Sequence, residues 1–214
     1  MRRRWMLAVT IALLTAACSS SQPLTEQAPL LRDQAAIKAL KEGGYVVYLR
    51  HGHTFPGKDT DLSRLDHCNT QRNLSPQGTE QSRAIAAALV RLKIPVTSVA
   101  ASPFCRTRAT AQLALNAAPA EMRLASWTDM PAAQRDATNS FVRIQFATPV
   151  PKGANVFLVG HSPPFDAATQ QLQPPEFKDK PFLEEGDAAL IQADGKGGYA
   201  LVGHINVKSW IQSR

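Results

Sequence analysis

Two adjacent basic side chains, Arg50 and His51, follow the apolar run Tyr45–Leu49 near the start of the chain. An apolar run of this length is typical of a buried strand, so both side chains would be delivered to the carboxyl edge of a sheet. That edge is where open α/β sheets bind their ligands. A guanidinium can hold a phosphate through paired hydrogen bonds while an imidazole nitrogen attacks the phosphorus. The pair therefore indicates phosphoryl chemistry.

Two later segments place similar side chains at the ends of two further predicted strands. The run Thr97–Ala101 leads into a strand-to-helix turn that presents Arg106. The run Asn155–Gly160 reads as a buried strand and is followed directly by His161. Phosphoryl transfer needs an in-line nucleophile and positive charge around the equatorial oxygens, with little other covalent help from the protein. The three groups around one imidazole would supply that charge without a metal ion.

The order of these motifs resembles that of the histidine phosphatase superfamily, the phosphoglycerate mutase-like group. The resemblance spans residues 45–210. The matching motif residues are Arg50-His51-Gly52, Leu74-Ser75, Gly78, Gln81, Ser102-Pro103, Arg106, Thr110-Ala111 and Gly160-His161. The resemblance implies that His51 is the nucleophile that becomes phosphorylated. It further implies that the phosphoryl oxygens of the substrate are surrounded by Arg50, Arg106 and His161.

The proton donor for the leaving group has a weaker signal in the sequence. In the acid phosphatase and phytase branch of the family an aspartate follows the late histidine, but Ser162 stands there in this chain, which disfavours that branch. In the mutase branch an acidic residue follows the second arginine, and the acidic residues of that interval are Glu121, Asp129 and Asp136. We expect Asp129 to be the acid, because residues 122–127 can form a short strand that ends beside the other motifs. Some small members of the family lack a dedicated acid.

His51 and His53, together with the later pair Asp66-His67, resemble the donor set of a metallo-hydrolase. The intervening loop is too long for the compact motif of that family, and the Arg50 guanidinium would repel a metal cation. We therefore expect neither a metal nor a cofactor. His53 is expected to line the substrate mouth, the alternative being a polar surface position. Glu184–Asp187 is expected to form a solvated turn rather than to supply an acid.

The amino terminus carries the zones of a secretory signal peptide in residues 1–17. Three arginines, Arg2–Arg4, precede the apolar stretch Trp5–Ala17, which is shorter than the roughly 20 residues of a spanning helix. Cys18 resembles the cysteine of a bacterial lipobox, although Thr15 stands where leucine is more usual. The alternative is an ordinary signal peptide with an incidental Cys18. Both interpretations predict a secreted or lipoprotein bacterial member of the family, located in the cell envelope or periplasm.

Two further cysteines, Cys68 and Cys105, form an even pair. Disulfides persist in oxidising compartments such as the periplasm, so we expect these two cysteines to be bridged. The bridge would pin the polar loop after the first strand beside the turn that presents Arg106. The alternative is two separate buried thiols.

The rest of the chain reads as one domain after a tether. Residues 18–32 are polar and contain proline, whereas residues 33–214 alternate helical and strand patterns, which predicts a three-layer α/β/α sandwich. The predicted helices are Asp33–Lys41, Leu74–Leu92, Arg106–Asn116, Pro131–Phe146 and Pro163–Leu172. The runs Asp187–Ala193 and Tyr199–Val207, separated by a glycine-rich turn, predict a C-terminal β-hairpin, which makes the sheet mixed and mostly parallel.

Removal of residues 1–17 would lower the formal net charge from +7 to +4, because Arg2–Arg4 leave with them. With no basic run interleaved with aromatic residues, we expect no nucleic-acid partner. The predicted function is a metal-independent phosphomonoester hydrolase of the cell envelope that acts through a phosphohistidine on a small phosphorylated substrate. A lipid on Cys18 would anchor it to the membrane. Candidate substrates are phosphorylated lipopolysaccharide sugars, other sugar phosphates and phosphoproteins. The alternative is a phospho-ligand-binding lipoprotein with little or no turnover.

Overall fold

The structure is a computed structural model and describes residues 29–117, 120–121 and 130–213. These residues contain one sheet of seven strands and six α-helices. The strands are β1 (Leu31–Arg32), β2 (Tyr45–Arg50), β3 (Ser98–Ala101), β4 (Ala120–Glu121), β5 (Asn155–Gly160), β6 (Ala188–Ala193) and β7 (Tyr199–Ile205). The helices are α1 (Asp33–Leu40), α2 (Pro76–Arg91), α3 (Cys105–Leu115), α4 (Ala132–Ala147), α5 (Ser162–Thr169) and α6 (Val207–Gln212). The strand order across the sheet is β1-β7-β6-β2-β5-β3-β4.

The sheet is mixed and mostly parallel. Strands β2, β5, β3 and β4 run parallel, whereas β6 and β7 form an antiparallel hairpin whose first strand pairs with β2. Helices α1, α2, α3 and α6 pack on one face of the sheet, and α4 and α5 pack on the other. The predicted three-layer α/β/α sandwich with a C-terminal β-hairpin is therefore confirmed.

Strand β2 lies at the centre of the fold and is buried on both faces. Its residues Val47 and Leu49 pack in the core under α1, α2, α3 and α6, while Val46 and Tyr48 pack in the core under α4 and α5. This alternation is the period of two that a strand imposes on its side chains. Because a shift by one residue would exchange the two faces, the register of β2 is fixed at the point where it delivers Arg50.

The carboxyl ends of three parallel strands meet at one edge of the sheet. Arg50 of β2 aligns with Gly160 of β5, and Ala101 of β3 aligns with Val159 one position earlier. Strand β6 begins at this same edge, because it runs antiparallel to β2 and its first residue, Ala188, pairs near the end of β2. The segments that follow β2, β3 and β5 therefore lie at this edge, together with the segment that precedes β6.

The loop after β2 packs directly on the start of α2. Ser75 caps this helix by accepting a hydrogen bond from the Gly78 N–H at 3.2 Å, and Pro76 occupies the first helical position. A Cβ atom on Gly78 would lie 2.0 Å from the carbonyl oxygen of His53, and one on Gly52 would lie 2.8 Å from that of Gly78. Glycine at both positions lets the loop and the helix approach closely, which holds the residues after His51 in place.

Two local features differ from the sequence predictions. Strand β7 ends at Ile205 and α6 follows, whereas the sequence predicted strand as far as Val207. The side chain of Asn206 accepts a hydrogen bond from the Lys208 N–H at 3.0 Å, and this N-cap ends the strand and begins the helix. The second difference is at Leu31–Arg32, the end of the predicted tether, which forms an edge strand parallel to β7.

Several predicted segments lie outside the described residues. These are the signal peptide of residues 1–17, Cys18, most of the tether, and residues 122–127 with the expected acid Asp129. Among the described helices, none is both long enough and apolar enough to cross a membrane.

Candidate active site

The structure brings Arg50, His51, Arg106 and His161 together at the carboxyl edge of the sheet. The backbone N–H of His51 donates to the carbonyl oxygen of Gly160 at 3.1 Å, which extends the β2–β5 pairing by one residue. The imidazole rings of His51 and His161 meet edge to face, with 5.3 Å between their centroids. The charges of both arginines act on both rings. The four residues form one cluster, while their individual catalytic roles stay predictions.

The His51 ring is buried and held in one orientation. Its side chain is 1% exposed, and Nδ1 lies 2.9 Å from the carbonyl oxygen of Gly52. Since a carbonyl oxygen can only accept, Nδ1 carries the hydrogen and Nε2 keeps its lone pair. Thr110 fixes the Gly52 peptide by accepting from its N–H at 3.0 Å. Burial first, and then the charges of Arg106 and Arg50, hold the pKa of His51 well below its ordinary value, so the ring is neutral.

His161 is equally buried and is fixed through its backbone as well as its ring. The hydroxyl of Tyr48 donates to the His161 carbonyl oxygen at 2.9 Å and accepts from its N–H at 3.1 Å. The ring shares a 3.0 Å hydrogen bond between Nε2 and the Ser102 hydroxyl, and it meets the Phe104 ring edge to face. Gly160 makes room for the tyrosine, since a Cβ there would lie 2.1 Å from the hydroxyl oxygen. Burial lowers the pKa of His161 and raises that of Tyr48.

Arg106, the second residue of α3, is completely buried under an acidic residue of the loop after β2. Its Nη1 donates to Oδ1 of Asp59 at 3.0 Å, and its Nη2 donates to Oδ2 at 3.4 Å. Nη1 also contacts the carbonyl oxygen of Arg72 at 3.3 Å, and the guanidinium lies 4.5 Å from the centre of the Phe104 ring. The Arg72 N–H in turn donates to Asp59 Oδ1 at 2.8 Å. Asp59 thus connects the loop after β2 to the buried guanidinium of Arg106.

A second carboxylate, that of Glu185, lies between two further guanidinium groups. Its Oε1 is 3.4 Å from Nη2 of Arg72 and 4.0 Å from Nη2 of Arg50. Thr54 donates to it from both its hydroxyl, at 2.9 Å, and its backbone N–H, at 3.2 Å. The expectation that Glu184–Asp187 forms a solvated turn is therefore wrong for Glu185, because this segment leads into β6 at the edge where the site lies.

The predicted disulfide between Cys68 and Cys105 is present, with the two sulfur atoms 1.95 Å apart. It joins the loop after β2 to the first residue of α3. The Cys105 N–H also donates to Oε1 of Gln71 at 2.9 Å, so the same loop caps the helix. Because Arg106 is the next residue, the bridge ties the loop that carries Asp59 to the turn that presents the guanidinium.

His53 lies in the loop after β2 and contacts the start of α2. Its Nδ1 is 2.7 Å from the hydroxyl of Ser75, and its backbone N–H donates to Oε1 of Gln81 at 2.8 Å. These contacts give His53 a part in fixing the loop, and its expected place at the substrate mouth stays a prediction. Asp66 and His67 lie on an exposed part of the loop. No group of three or more histidine, cysteine or acidic residues in the described ranges could hold a metal ion.

The expected acid, Asp129, lies outside the described residues, so its role stays a prediction. Of the other two candidates, Asp136 is exposed on α4, and nothing is described of the Glu121 side chain. Sequence reasoning gave no role to four charged residues near the cluster: Asp59, Arg72, Asp166 and Glu185. Three of them lie in irregular segments, where no periodic pattern marks the side chains that fold inward.

A cleft of about 930 Å³ adjoins the cluster. Its lining includes Arg50, whose Nη1 donates to the Leu183 carbonyl oxygen at 2.6 Å, and Ser162, which directly follows His161. The cleft is large enough for the non-phosphate part of a small organic ester.

Comparison with known sequences identifies one family. The model of the histidine phosphatase superfamily (branch 1) matches residues 46–130. Those residues include Arg50, His51 and Arg106, while His161 lies beyond them. No curated protein matches the chain by sequence.

Several solved structures share the fold at low sequence identity. The protein histidine phosphatase SixA, complexed with tungstate, is 17% identical, covers 77% of this chain and 97% of its own, and has a TM-score of 0.50. A phosphoserine phosphatase mutant from Entamoeba histolytica, in complex with phosphoserine, is 14% identical, covers 77% and 98%, and has a TM-score of 0.51. The product of an open reading frame from Mycobacterium tuberculosis is 19% identical, covers 74% and 95%, and has a TM-score of 0.51.

Each of these solved chains is matched over nearly its whole length, so the likeness is to a complete domain. The matched sequence model contains the first two motifs, and the fold places the third motif, at His161, against the first. Residues 46–130 thus match the histidine phosphatase superfamily (branch 1), and the solved structures show that the chain shares the fold of known histidine and phosphoserine phosphatases.

Proposed function

We propose that this protein is a metal-independent phosphomonoester hydrolase of the cell envelope that acts through a phosphohistidine on His51. The observation that carries the proposal is the His51 ring, whose Nδ1 is held on the Gly52 carbonyl oxygen so that Nε2 keeps its lone pair. Burial and the neighbouring guanidinium groups lower the pKa of this ring, which keeps it neutral. A neutral, oriented imidazole among cationic groups is suited to attack a phosphate.

In the first step, Nε2 of His51 attacks the phosphorus and the bond to the leaving oxygen breaks. The guanidinium groups of Arg50 and Arg106 take up the negative charge of the equatorial oxygens, with His161 beside them. Asp59 contacts both terminal nitrogens of Arg106, so the substrate phosphate competes with this carboxylate for the guanidinium. In the second step, water attacks the phosphorus, the phosphorus–nitrogen bond breaks, and the electron pair returns to Nε2.

A small phosphorylated substrate fits the dimensions of the site. The cleft beside Arg50 offers room for the leaving group. The solved phosphoserine phosphatase of the same fold is described in complex with phosphoserine, which supports a small phosphomonoester as the class of substrate. Phosphorylated sugars and phosphoproteins of the envelope are the candidates that the expected location favours.

Two features support a location in the cell envelope. Residues 1–17 have the pattern of a secretory signal, with Cys18 at the position of a lipobox cysteine. Cys68 and Cys105 form a bridge, and disulfides of this kind persist mainly in oxidising compartments. Labelling of cells with radioactive palmitate tests the anchor: incorporation into the wild-type protein that is lost in Cys18→Ser would support it, and equal labelling of both would exclude it.

The activity is tested by phosphate release from a panel of phosphomonoesters, with His51→Ala and His67→Ala compared. We expect sustained turnover by the wild type, with acid-labile and alkali-stable phosphate on the protein. His51→Ala should lose both, because only an imidazole in line with the phosphorus can form the phosphoramidate. His67→Ala, which removes an exposed histidine, should keep both. Acid-labile phosphate on the His51→Ala protein would contradict the assignment.

Two further outcomes separate this function from its alternatives. A burst of one phosphate per protein molecule without turnover would favour the phospho-ligand-binding lipoprotein. Loss of activity in EDTA that zinc restores would favour a metallo-hydrolase. We expect neither, and we expect vanadate to inhibit, because guanidinium groups occupy the place of a metal ion.

A further inference from the structure

The wall of the 930 Å³ cleft contains an acidic residue that the proposed mechanism has not used. Asp166 lies on α5, one helical turn after Ser162, and both side chains line the cleft together with Arg50. Arg50 and Ser162 directly adjoin His51 and His161 in the chain. A leaving group attached to a phosphate at the two histidines would therefore extend along the wall that carries Asp166.

Two other carboxylates near the described site are held by cationic partners. Asp59 accepts hydrogen bonds from the Arg106 guanidinium, and Glu185 lies between those of Arg72 and Arg50. Neither of these carboxylates lines the cleft into which a leaving group would extend.

The surroundings of Asp166 are different. Its Oδ1 accepts a hydrogen bond from the amide of Gln173 at 3.1 Å, and Gln173 is neutral. None of the ion pairs within the described ranges includes Asp166. The side chain is half-buried, so its carboxyl group can keep a proton and still reach the cleft.

The surroundings of Asp166 act on its pKa in opposite directions. Burial raises the pKa above its ordinary value, while the hydrogen bond from Gln173 and then the charge of Arg50 lower it by smaller amounts. The titratable groups that face Asp166 or its helix from neighbouring elements are Tyr48 and Arg50 of β2, Tyr199 of β7, Arg143 of α4, and Lys178, Asp179 and Lys180 of the cleft wall. Burial therefore leaves more of Asp166 protonated near neutral pH than an exposed aspartate would be.

We propose that Asp166 is the proton donor to the leaving group, a role that rests on the proposed phosphatase function. In the first step the Asp166 carboxyl gives its proton to the leaving oxygen as the phosphorus–oxygen bond breaks and the bond to His51 Nε2 forms. In the second step the resulting carboxylate takes a proton from the attacking water as the phosphorus–nitrogen bond breaks. Asp166 is then protonated again and the phosphate leaves.

The test is the dependence of Asp166→Asn on the leaving group. Asparagine keeps the volume and an oxygen that can accept from Gln173, but it cannot donate a carboxyl proton. We expect kcat/KM for an alkyl ester such as phosphoserine to fall on the order of 100-fold, the usual contribution of a general acid. For 2,4-dinitrophenyl phosphate, whose leaving anion needs no proton, we expect a fall of less than about tenfold. The alkaline limb of the phosphoserine pH profile should disappear.

Two comparison variants make the result specific. Asp194→Asn removes an exposed carboxylate from the turn between β6 and β7, outside the cleft, and should leave both substrates unaffected. Asp129→Asn tests the acid that the family resemblance favours, and we expect no difference between its effects on the two esters. Retained activity of Asp166→Asn toward the dinitrophenyl ester also shows that the variant is folded.

Equal losses with both esters in Asp166→Asn, or no loss with either, would overturn the proposal. The leaving-group signature in Asp129→Asn instead would transfer the role to that residue. Failure of the proposed function is a separate outcome: the wild type would then fail to turn over the dinitrophenyl ester, whereas failure of the Asp166 proposal requires an active wild type.

Discussion

The carboxylate of Asp59 spans both terminal nitrogens of Arg106, with Oδ1 at 3.0 Å from Nη1 and Oδ2 at 3.4 Å from Nη2. This side of a guanidinium can bind a phosphate through paired hydrogen bonds. With Asp59 in place, the Arg106 side chain has no exposed surface. A substrate phosphate and Asp59 therefore compete for the same two nitrogens.

The first prediction is that Asp59→Asn binds phosphate analogues more tightly. Hydrogen bonds to charged groups contribute about 1.5–3 kcal/mol, so weakening this contact should lower the inhibition constant of vanadate by roughly tenfold or more. Competitive inhibition at fixed pH and salt measures it. Asp61→Asn, which removes a partly exposed carboxylate of the same loop that accepts hydrogen bonds from Ser63, should leave the constant unchanged. A higher inhibition constant in Asp59→Asn would mean that Asp59 positions Arg106 instead of competing with phosphate.

The second prediction concerns stability at acid pH. Burial lowers the pKa of His51 and His161 in the folded protein, so below about pH 6.5 the unfolded chain binds protons that the folded chain does not. The stabilisation is therefore present above that pH and is lost as the pH falls, by about 1.4 kcal/mol per pH unit for each histidine. Urea unfolding between pH 7.5 and 5.5 should show a loss of about 2–3 kcal/mol.

A substitution assigns this pH dependence to the buried histidines. His161→Gln should keep only about half of it, because one of the two groups no longer titrates. His67→Ala, at an exposed position of the loop, should keep the wild-type dependence. An unchanged slope in His161→Gln would show that other groups cause the acid destabilisation.

The third prediction concerns the bridge between Cys68 and Cys105, whose sequence separation is 37 residues. The double variant Cys68→Ala/Cys105→Ala should lose about 3–4 kcal/mol of the free energy of unfolding, the chain-entropy expectation for a loop of that size. Its kcat/KM should fall as well under conditions where it remains folded, because Arg106 follows the bridged residue directly. Urea unfolding and steady-state kinetics measure the two effects. Unchanged kinetics in a folded variant would separate the bridge from the phosphate site.

The residues predictable from the sequence were those that directly follow a strand. His51 and His161 come after buried apolar runs, and parallel strands carry such residues to the same edge. Arg106 follows a strand through a short turn that begins a helix. In each case a local pattern of hydrophobicity determined the position, and the topology of the sheet supplied the contact.

Asp59 and Glu185 could not be predicted in this way. Asp59 lies in an irregular loop whose path depends on a disulfide and on a backbone hydrogen bond from Thr60 to Thr70 at 2.8 Å. Glu185 reaches the site because β6 runs antiparallel to β2, a pairing between distant parts of the chain. Neither position has a periodic pattern, so the contact exists only once the whole sheet has formed.

The pairing of Tyr48 with Gly160 makes these two positions dependent on each other. A Cβ atom on residue 160 would lie 2.1 Å from the hydroxyl oxygen of Tyr48. It would also lie 2.7 Å from Cζ, the ring carbon that carries the hydroxyl. Alanine at position 160 therefore requires a smaller residue than phenylalanine at position 48. We expect related sequences to keep tyrosine with glycine or to change both residues together. Covariation of positions 48 and 160 in a sequence alignment would then reveal the contact without a structure.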